Sequence, residues 1–578
     1  MKGSFFKELT HVNSCEEGAV VMQNPVILIS TVAIFIIIYH LLTRNRKKLK
    51  QLRGEWDKGE RLALSEDVES VSSYWKHRKE HAEFYAGVDQ LTWNDLAMKE
   101  VFEKLNYTKT SVGSEYLFNQ LRDIDPKLKD VFEKEELYIL LANDRKLREK
   151  VLLILSGLGK RNYADSSSYF YKFNDHKIKH AYMYIILACL PILSIILMFS
   201  SLKYGIASLF CAFLINVVIY YRNQRVLEND LHSITYVASI VNTGKSFATI
   251  HHPRFTIYGD ILKGEGKGLR KISFFGKVLS FGGNSGGDFD VIFEYFRIIF
   301  LLDFISYNQI VKTIVTHQKA YKQLWEAIGE LDAAIAVAFY RKSLAFYTKP
   351  NFVDKEELSF ENLAHPLLDD PVTNSSTLGK TVLITGSNAS GKSTYIKAVA
   401  INAILAQTIN TVLANKWTMK PSYIVTSMAI QDSVLDGDSY FIAEIKSLKR
   451  IIKFSEEKKP MISFIDEILK GTNTIERISA SAAIMEWLSV NKGMNIIASH
   501  DIELTEIAGE VYTNYHFKES IENDEVIFDY KIHSGPSITR NAIKLLEVLT
   551  YPESITTQAN QLAQHFTEIR EWKEIKVR

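Results

Sequence analysis

The sequence predicts an α/β domain in the C-terminal half of the chain and membrane-spanning helices in the N-terminal half. The stretch TVLITGSNASGKSTYIKAVA, residues 381–400, places a glycine-rich turn between a strand-like run and a helix-like run. The stretch MISFIDE, residues 461–467, is an apolar strand that ends in two carboxylates. Three long segments nearer the N-terminus contain no Asp, Glu, Lys or Arg, as membrane spans require.

Length and composition limit the possible classes. A chain of 578 residues is too long for one ordinary domain, and 47% hydrophobic with 24% charged residues is a globular composition. A net charge of +2 gives no overall basic footprint for nucleic acid, although a local patch remains possible. The three cysteines, Cys15, Cys189 and Cys211, show no C-x-x-C spacing, so the C-terminal two thirds has no cysteine zinc site and no disulfide framework.

The charge-free segments cover residues 25–42, 181–201 and 204–221. Each is about as long as the hydrocarbon core of a bilayer requires for a helix. Buried helices of a soluble core are the alternative, but such helices normally keep a polar stripe. We therefore expect three transmembrane helices, the last two forming a hairpin with a short turn around Lys203.

Basic residues flank these segments at 44–50, 176–180 and 221–225. By the positive-inside rule all three flanks are cytoplasmic, so residues 1–24 are expected outside and the bulk of the chain in the cytoplasm. The expected location is the cell membrane, with the lipid bilayer as a partner.

One more apolar run, FEYFRIIFLLDFISY at 293–307, is interrupted by charged residues at helical spacing. These residues are Glu294, Arg297 and Asp303. The pattern predicts an amphipathic helix packed in a soluble core rather than a membrane span.

Residues Gly386, Gly391, Lys392 and Ser393 fit the pattern G-x-x-x-x-G-K-[ST]. The glycines allow successive backbone N–H groups to surround phosphates at the N-terminus of a helix. Lys392 is expected to reach the β- and γ-phosphates of ATP, and the Ser393 hydroxyl to bind Mg²⁺. The residues predicted to bind the nucleotide around this loop are Gly386, Ser387, Asn388, Ala389, Ser390, Gly391, Lys392, Ser393 and Thr394.

Two further strands end in polar residues. A buried strand that delivers Asp466 and Glu467 to its carboxyl edge is costly unless the carboxylates meet a cation or activate a water molecule. We expect Asp466 to hold the Mg²⁺ shell and Glu467 to orient the attacking water. The strand MNIIASHD ends in His500, either a sensor of the γ-phosphate or a structural residue. The predicted catalytic residues are Glu467, His500 and Lys392.

The segment between these strands, SMAIQDSVLDGDSYFIAEI at 427–445, lacks the Leu-Ser-Gly-Gly sequence of an ABC transporter. It has an acidic turn, then Gly-x-Ser-x-Phe, then Glu three residues later. This pattern resembles the MutS family of mismatch-repair ATPases. The matching residues are Asp432, Gly437, Ser439, Phe441 and Glu444. FIDEILKGTNT, SHDIELTEI and ENLAHPLL are similar to other segments of that family.

The resemblance implies an α/β P-loop ATPase domain of the ABC/MutS type joined to an all-α core domain, here with transmembrane helices. It implies that His365 and Pro366 help form the adenine pocket, and that Gly437 and Ser439 contact the ATP of the other subunit in a homodimer. The expected segments are 1–24 outside, 25–42 transmembrane, 43–89 linker, 90–175 first core part, 181–221 hairpin, 228–348 second core part, 355–533 ATPase domain and 534–578 helix-turn-helix dimerisation segment.

The sequence also departs from the family pattern. Asp438 stands where the family usually has Arg, and Leu469 with Lys470 replaces a usual Gly-Arg pair. The Phe-x-Glu letters at 6–8 have no mismatch-reading domain around them and are interpreted as coincidence. The hairpin 181–221 stands where the family's core helices extend towards a DNA clamp.

Two functions follow from this resemblance. The first is a membrane-anchored ATPase that uses ATP and Mg²⁺ at a dimer interface and engages DNA, without an expectation of mismatch specificity. The alternative is an ATPase that remodels a protein partner or its own hairpin without binding DNA.

Overall fold

The computed structural model describes residues 43–60, 66–83, 87–125, 127–280, 288–387, 390–428, 440–457, 459–522, 525–537, 542–572 and 574. Several predictions lie outside the described residues. These are the outer segment 1–24, the first span 25–42, Asn388, Ala389, Gly437 and Ser439.

Helices dominate the described part of residues 43–343. In chain order they are α1 (43–58), α2 (Val68–Val71), α3 (Ser73–Glu80), α4 (Gln90–Asp95), α5 (Met98–Leu105), α6 (Ser111–Gln120), α7 (Lys129–Asn143), α8 (Arg145–Leu158), α9 (Ser168–Tyr171), α10 (Tyr182–Ser200), α11 (Leu202–Phe247), α12 (Thr256–Lys263), α13 (Arg270–Ser280), α14 (Asp288–Ile299), α15 (Leu302–Thr316) and α16 (Gln318–Ser343). Two 3₁₀-helices, Pro253–Phe255 and Glu265–Leu269, flank α12.

Helix α16 is the centre of the helical region and packs against α6 and α7. Its Asp332 is fully buried and accepts hydrogen bonds from the N–H groups of Lys109 and Thr110 and from the Thr110 hydroxyl, at 2.7–3.1 Å. A Cβ atom at Gly113 would lie 2.2 Å from the Asp332 carboxylate, so only glycine fits there. These hydrogen bonds to Asp332 hold the N-terminus of α6 against α16.

Helices α10 and α11 form the predicted hairpin. Among the described residues, two helices are long and apolar enough to cross a membrane, Tyr182–Ser200 and Leu202–Arg225, or three if the bent pair Ile292–Ile299 and Leu302–Thr316 counts as one span. The turn of the hairpin lies at Ser201, slightly before the predicted position around Lys203, which already lies in α11. Helix α11 also continues beyond the apolar segment as one 46-residue helix, so residue 228, the predicted start of the second core part, lies within it.

The prediction of one continuous amphipathic helix over 293–307 is wrong. The chain breaks at Phe300 and Leu301, and Leu301 adopts a left-handed conformation with φ of 50°. Helices 292–299 and 302–316 are bent by 68° relative to each other. Ile298, Leu301 and Phe304 pack with Tyr220 of the hairpin, so the break lies against the hairpin.

The C-terminal part contains two sheets. Their strands are β1 (Asn351–Phe352), β2 (Leu358–Leu363), β3 (Asn374–Leu378), β4 (Thr381–Thr385), β5 (Lys416–Met419), β6 (Tyr423–Ser427), β7 (Met461–Asp466), β8 (Met494–Ser499), β9 (Thr513–Glu522) and β10 (Glu525–Ser534). The smaller sheet has the order β1-β5-β2-β3, and the larger sheet has the order β10-β9-β4-β8-β7-β6. Helices of this part are α17 (Lys392–Ile409), α18 (Tyr440–Glu456), α19 (Thr474–Val490), α20 (Glu503–Ala508), α21 (Ala542–Val548) and α22 (Glu553–Ile569).

Strands β4, β6, β7, β8 and β9 run parallel in the larger sheet, and β10 pairs antiparallel with β9. Parallel strands bring their carboxyl ends to one edge of the sheet. The three strands predicted from sequence, β4, β7 and β8, are neighbours there. This topology gathers the ends of three separate motifs at one edge.

Polar contacts join the helical region to this sheet. Asp95 of α4 accepts hydrogen bonds from the Thr426 hydroxyl at 2.6 Å and from the Met428 N–H at 3.1 Å, at the end of β6. Burial raises the pKa of Asp95, although the hydrogen bond from Thr426 opposes this rise. The helical core therefore contacts the strand that leads into residues 429–439.

Candidate nucleotide site

The predicted phosphate loop connects β4 to α17 at the centre of the larger sheet. Gly386 has φ of 144°, and a Cβ atom there would lie 2.8 Å from the Phe517 carbonyl oxygen. Gly391, with φ of 99°, immediately precedes α17. Both positions therefore need glycine for backbone conformation, and the first also for close packing.

Lys392 is the first residue of α17 and its side chain is buried. Its Nζ atom donates to the carbonyl oxygens of Gly386 at 2.5 Å and Ser387 at 2.7 Å. Burial lowers the pKa of Lys392, whereas the charges of Asp466 and Glu467 act in the opposite direction. The ammonium group is thus held inside the loop, close to the two carboxylates at the end of β7.

Glu467 follows β7 and has a left-handed backbone conformation, with φ of 67°. Its N–H donates to the Ala498 carbonyl at 2.9 Å, which holds this conformation against the neighbouring strand β8. A non-glycine residue in this region costs about 1–3 kcal/mol and is found where surrounding structure enforces it, often at functional sites. The left-handed backbone at Glu467 therefore indicates that the position of its carboxylate is important for the site.

The Glu467 carboxylate lies between two cationic groups. Its Oε1 is 2.9 Å from Nδ1 of His500, and its Oε2 is 2.9 Å from Nζ of Lys470. Burial alone would raise the pKa of Glu467, but His500 and Lys470 outweigh it and lower this pKa to about 2. The hydrogen bond that His500 donates to Glu467 raises the pKa of His500. Glu467 is therefore ionised throughout the physiological range.

Asp466 and Ser393 fit a magnesium site of the kind completed by phosphate oxygens and water. Asp466 ends β7 beside the loop, and Ser393 lies in the first turn of α17. Mg²⁺ in such sites is typically held by one or two carboxylates together with substrate phosphates, rather than by a cage of protein ligands. Among the described residues, no group of three or more His, Cys, Asp or Glu residues could by itself hold a metal ion.

A cavity of about 250 Å³ opens beside Gly391, between the loop and the smaller sheet. His365, Thr394 and Tyr530 line it. Pro366 is buried next to His365. Burial, with the nearby Lys397 and Lys104, lowers the pKa of His365 to about 4, so its imidazole is neutral at pH 7. A neutral ring beside an apolar cavity suits the binding of a planar base.

Several polar contacts at this edge were not predicted from sequence. The Ser387 hydroxyl donates to Glu519 at 2.6 Å, which ties the loop to β9. The Lys470 N–H donates to buried Glu444 of α18 at 2.9 Å. Arg477 forms a bidentate pair with Asp501 at 2.6 and 2.9 Å. Of these residues, Glu519 and Arg477 lie outside the motifs recognised in the sequence.

Comparison with known proteins agrees with this arrangement. The family model for MutS domain V matches residues 382–567. MutS protein homolog 4 from Homo sapiens is 29% identical over 293 residues, which cover 47% of this chain and 31% of the relative. DNA mismatch repair protein MutS from Finegoldia magna is 29% identical over 278 residues, or 46% of this chain and 32% of the relative.

DNA mismatch repair protein MutS from Staphylococcus haemolyticus is 28% identical over 281 residues, with 46% of this chain and 31% of the relative covered. The similarity thus spans about a third of the length of these relatives. The matched family model begins in β4 and includes the phosphate loop, the β7 carboxylates and His500. Residues 382–567 of this chain are thus similar to domain V of the MutS family.

Proposed function

We propose that this protein is a membrane-anchored ATPase that binds and hydrolyses ATP at the carboxyl edge of the larger sheet. The observation that carries the proposal is the position of Lys392. Its ammonium group lies on the carbonyl oxygens of the loop, at the N-terminus of α17, and interacts electrostatically with Asp466 and Glu467. A cation, a helix N-terminus and two carboxylates together provide the groups that phosphoryl transfer to water requires.

Each residue has a distinct role in this proposal. Lys392 and the loop N–H groups hold the phosphates, while Ser393 and Asp466 hold Mg²⁺, which neutralises charge on the phosphate oxygens. Glu467 orients the attacking water, because its carboxylate is ionised and fixed by two neighbours. The hydrogen bond to Glu467 raises the pKa of His500 and so favours its protonated form. In this proposal His500 holds Glu467 in place and lies near the γ-phosphate.

Lys392→Ala tests the nucleotide site. A hydrogen bond to a charged group contributes about 1.5–3 kcal/mol, so the loss predicts roughly a tenfold to hundredfold weaker ATP affinity. The measurement is titration of the detergent-solubilised full chain with a fluorescent ATP analogue. Lys355→Ala, which removes an exposed lysine outside the site, is the control and should leave affinity unchanged. Equal affinities in all three proteins would refute the site.

The proposed membrane anchor is the hairpin of α10 and α11. Its apolar side chains are extensively exposed; Phe199, for example, is 90% exposed. Exposed Tyr182 and Tyr221 lie near one end of the hairpin and exposed Tyr204 near the other. Aromatic residues at both ends of an apolar segment are typical of the two membrane interfaces. Such a surface would be costly in water and is stable in lipid.

We further propose that two chains pair so that Gly437 and Ser439 of one subunit contact ATP bound to the other. The γ-phosphate needs hydrogen-bond donors on the side opposite Lys392 to stabilise the charge of the transition state. Helix α18 begins at Tyr440, immediately after Ser439, so its N-terminus can contribute such donors. The N-terminus is proposed to lie outside, with the ATPase domain in the cytoplasm.

DNA is the first candidate ligand, since the matched relatives from bacteria are named DNA mismatch repair proteins. Exposed cations cluster along the segment 263–277, as contacts to DNA phosphates would need. These are Lys263, Lys267, Arg270, Lys271 and Lys277. A different observation favours the alternative without DNA. Helix α11 continues from the hairpin into the helical core, where Ile234 and Tyr236 are fully buried, so movement of the core would move the hairpin.

Binding of homoduplex, mismatched and branched DNA to the detergent-solubilised protein, with and without ATP, distinguishes the two functions. If DNA is a ligand, affinity should fall steeply with salt, and Lys267→Glu with Lys271→Glu should weaken binding to all three DNAs. Glu356→Lys, a charge change in the C-terminal part of the chain and outside the segment 263–277, serves as the control. Absence of binding to every DNA would exclude the first function and leave the ATPase acting on its hairpin or a protein partner.

A further inference from the structure

We propose that the bend between α14 and α15 is a further membrane-embedded element, a re-entrant segment whose apolar outer face contacts lipid. The inference rests on the proposed membrane insertion of the hairpin and extends it to residues outside the two candidate spans. The partner is the bilayer itself, and the segment that enters it is the C-terminal half of α14 with residues 300–301.

The first observation is the role of Asn216, a fully buried residue of α11. Pro191 of α10 has no N–H group, so the Leu187 carbonyl lacks its helical partner. Helix α14 ends at Ile299, whose carbonyl is likewise left without a helical partner. The Asn216 Nδ2 group donates to both, at 3.0 Å to Leu187 and 2.7 Å to Ile299.

A helix break in lipid requires hydrogen-bond donors from the protein for the carbonyl groups that the break leaves free. Unpaired backbone carbonyls cost several kcal/mol in hydrocarbon, whereas water would satisfy them at a protein surface. One amide inside the apolar window of α11 satisfies the carbonyls freed by a proline on one side and by a helix end on the other. The same side chain thereby joins α10, α11 and α14.

The second observation is the pairing of charges at the bend. Arg297 and Asp303 form a bidentate salt bridge with both distances at 2.8 Å, and the Tyr220 hydroxyl donates to Asp303 at 2.7 Å. Asp303 is only 1% exposed. Charged residues at membrane depth are tolerated when they pair and face the protein interior. These charges had suggested a soluble helix, but the structure turns them away from the surface.

The depth of the bend follows from helix geometry. Asn216 precedes Arg222 by six residues and Arg225 by nine, so it lies about 9–14 Å along the helix from the basic end of the hairpin. Leu187 lies five residues inside the start of α10, which gives a similar depth of about 8 Å. Because Asn216 bonds to Ile299, the end of α14 shares this depth.

The outer face of α14 agrees with this position. Ile292, Tyr295 and Phe296 occur at helical spacing and are 52–58% exposed, next to the exposed apolar surface of the hairpin. Glu294, also exposed, lies about 8 Å along the helix from Ile299, where the headgroups would accommodate it. The exposed face of α14 is therefore mainly apolar, with one carboxylate at the depth of the headgroups, as expected for a helix that lies at the membrane interface.

The test places one fluorophore at a time in the full chain after reconstitution into liposomes. The background lacks its native cysteines through Cys15→Ser, Cys189→Ala and Cys211→Ala. Single cysteines at Phe296→Cys, at Phe210→Cys in the hairpin and at Ile475→Cys on exposed α19 carry an environment-sensitive dye. Lipids with quenchers in their acyl chains should reduce emission at 296 as strongly as at 210 and leave emission at 475 unchanged.

The possible outcomes distinguish the proposed membrane anchor from the proposed re-entrant segment. Quenching at 210 without quenching at 296 would overturn the re-entrant segment and leave the membrane anchor intact. Absence of quenching at 210 would overturn the anchor itself. A shielded but unquenched dye at 296 would mean that protein, such as a second copy, covers this face, and would also overturn the inference. With Asn216→Leu added, quenching at 296 should be lost while quenching at 210 persists.

Discussion

Glu467→Gln is expected to slow ATP hydrolysis by about 10²–10⁴-fold while ATP remains bound, which is the range typical for loss of a positioned acid–base group. The glutamine keeps the shape of the side chain but has no negative charge with which to polarise a water molecule. Lys392 and the loop are unaffected, so binding should persist. The measurements are phosphate release at steady state and retention of labelled ATP by the same protein.

The surroundings of Glu467 explain why the loss should be large. Two cationic neighbours lower its pKa to about 2, and the backbone is held at φ of 67°. An uncharged amide leaves His500 and Lys470 without their carboxylate. Glu486→Gln removes a charge from an exposed position of α19 and is the control, with hydrolysis expected at the wild-type rate. Hydrolysis at the wild-type rate by Glu467→Gln itself would exclude the proposed role.

The motifs of the site could be predicted from sequence because each is short and local. The loop before Lys392 and the strand before Asp466 are continuous in sequence, and a parallel sheet brings their ends together. The contacts of Ser387 with Glu519 and of His500 with Glu467 join residues 132 and 33 positions apart. Such pairs depend on the relative placement of strands, for which a single sequence contains no local signal.

The apolar region shows the same limit. Long charge-free segments predicted the two helices of the hairpin. The run at 293–307 was predicted as one helix, and the break at Phe300 and Leu301 has no local signal in its pattern of charges. In the structure these two residues neutralise each other at the bend and are joined to Tyr220. Charge in a sequence does not reveal whether its partner lies within reach.

How ATP hydrolysis could affect the helical core and the hairpin depends on the junction between them and the sheet. Arg341 of α16 is buried at this junction and donates to the carbonyl oxygens of Ile409 and Asn410, at 3.2 and 3.0 Å. A cation at the C-terminus of α17 also interacts favourably with the helix dipole. The C-terminus of α17, the helix that begins at Lys392, therefore contacts Arg341 of the helical core.

Arg341 also forms a bidentate salt bridge with Glu135 of α7, at 2.7 and 3.0 Å, and both residues are buried. Although burial would raise the pKa of Glu135, Arg341 and Lys349 outweigh it and lower this pKa. Removing one partner of a buried pair typically costs about 3–5 kcal/mol, because the other charge is left uncompensated. Lys349 lies 2.8 Å from Glu135 and is half exposed, so it can compensate in part.

Arg341→Met should therefore destabilise the protein by about 3 kcal/mol, the lower end of that range. For a cooperative unit of roughly 150–250 residues, this destabilisation corresponds to a fall in melting temperature of roughly 6–12 °C. The measurement is tryptophan fluorescence of the protein in detergent during heating. Arg145→Met, which removes an exposed arginine paired with Glu149, is the matched control and should cost only about 0.3–0.5 kcal/mol. Adding Glu135→Gln to Arg341→Met should recover part of the loss, since no uncompensated carboxylate then remains. A melting temperature equal to wild type for Arg341→Met, or a further fall in the double variant, would show that this pair does not hold the core to α17.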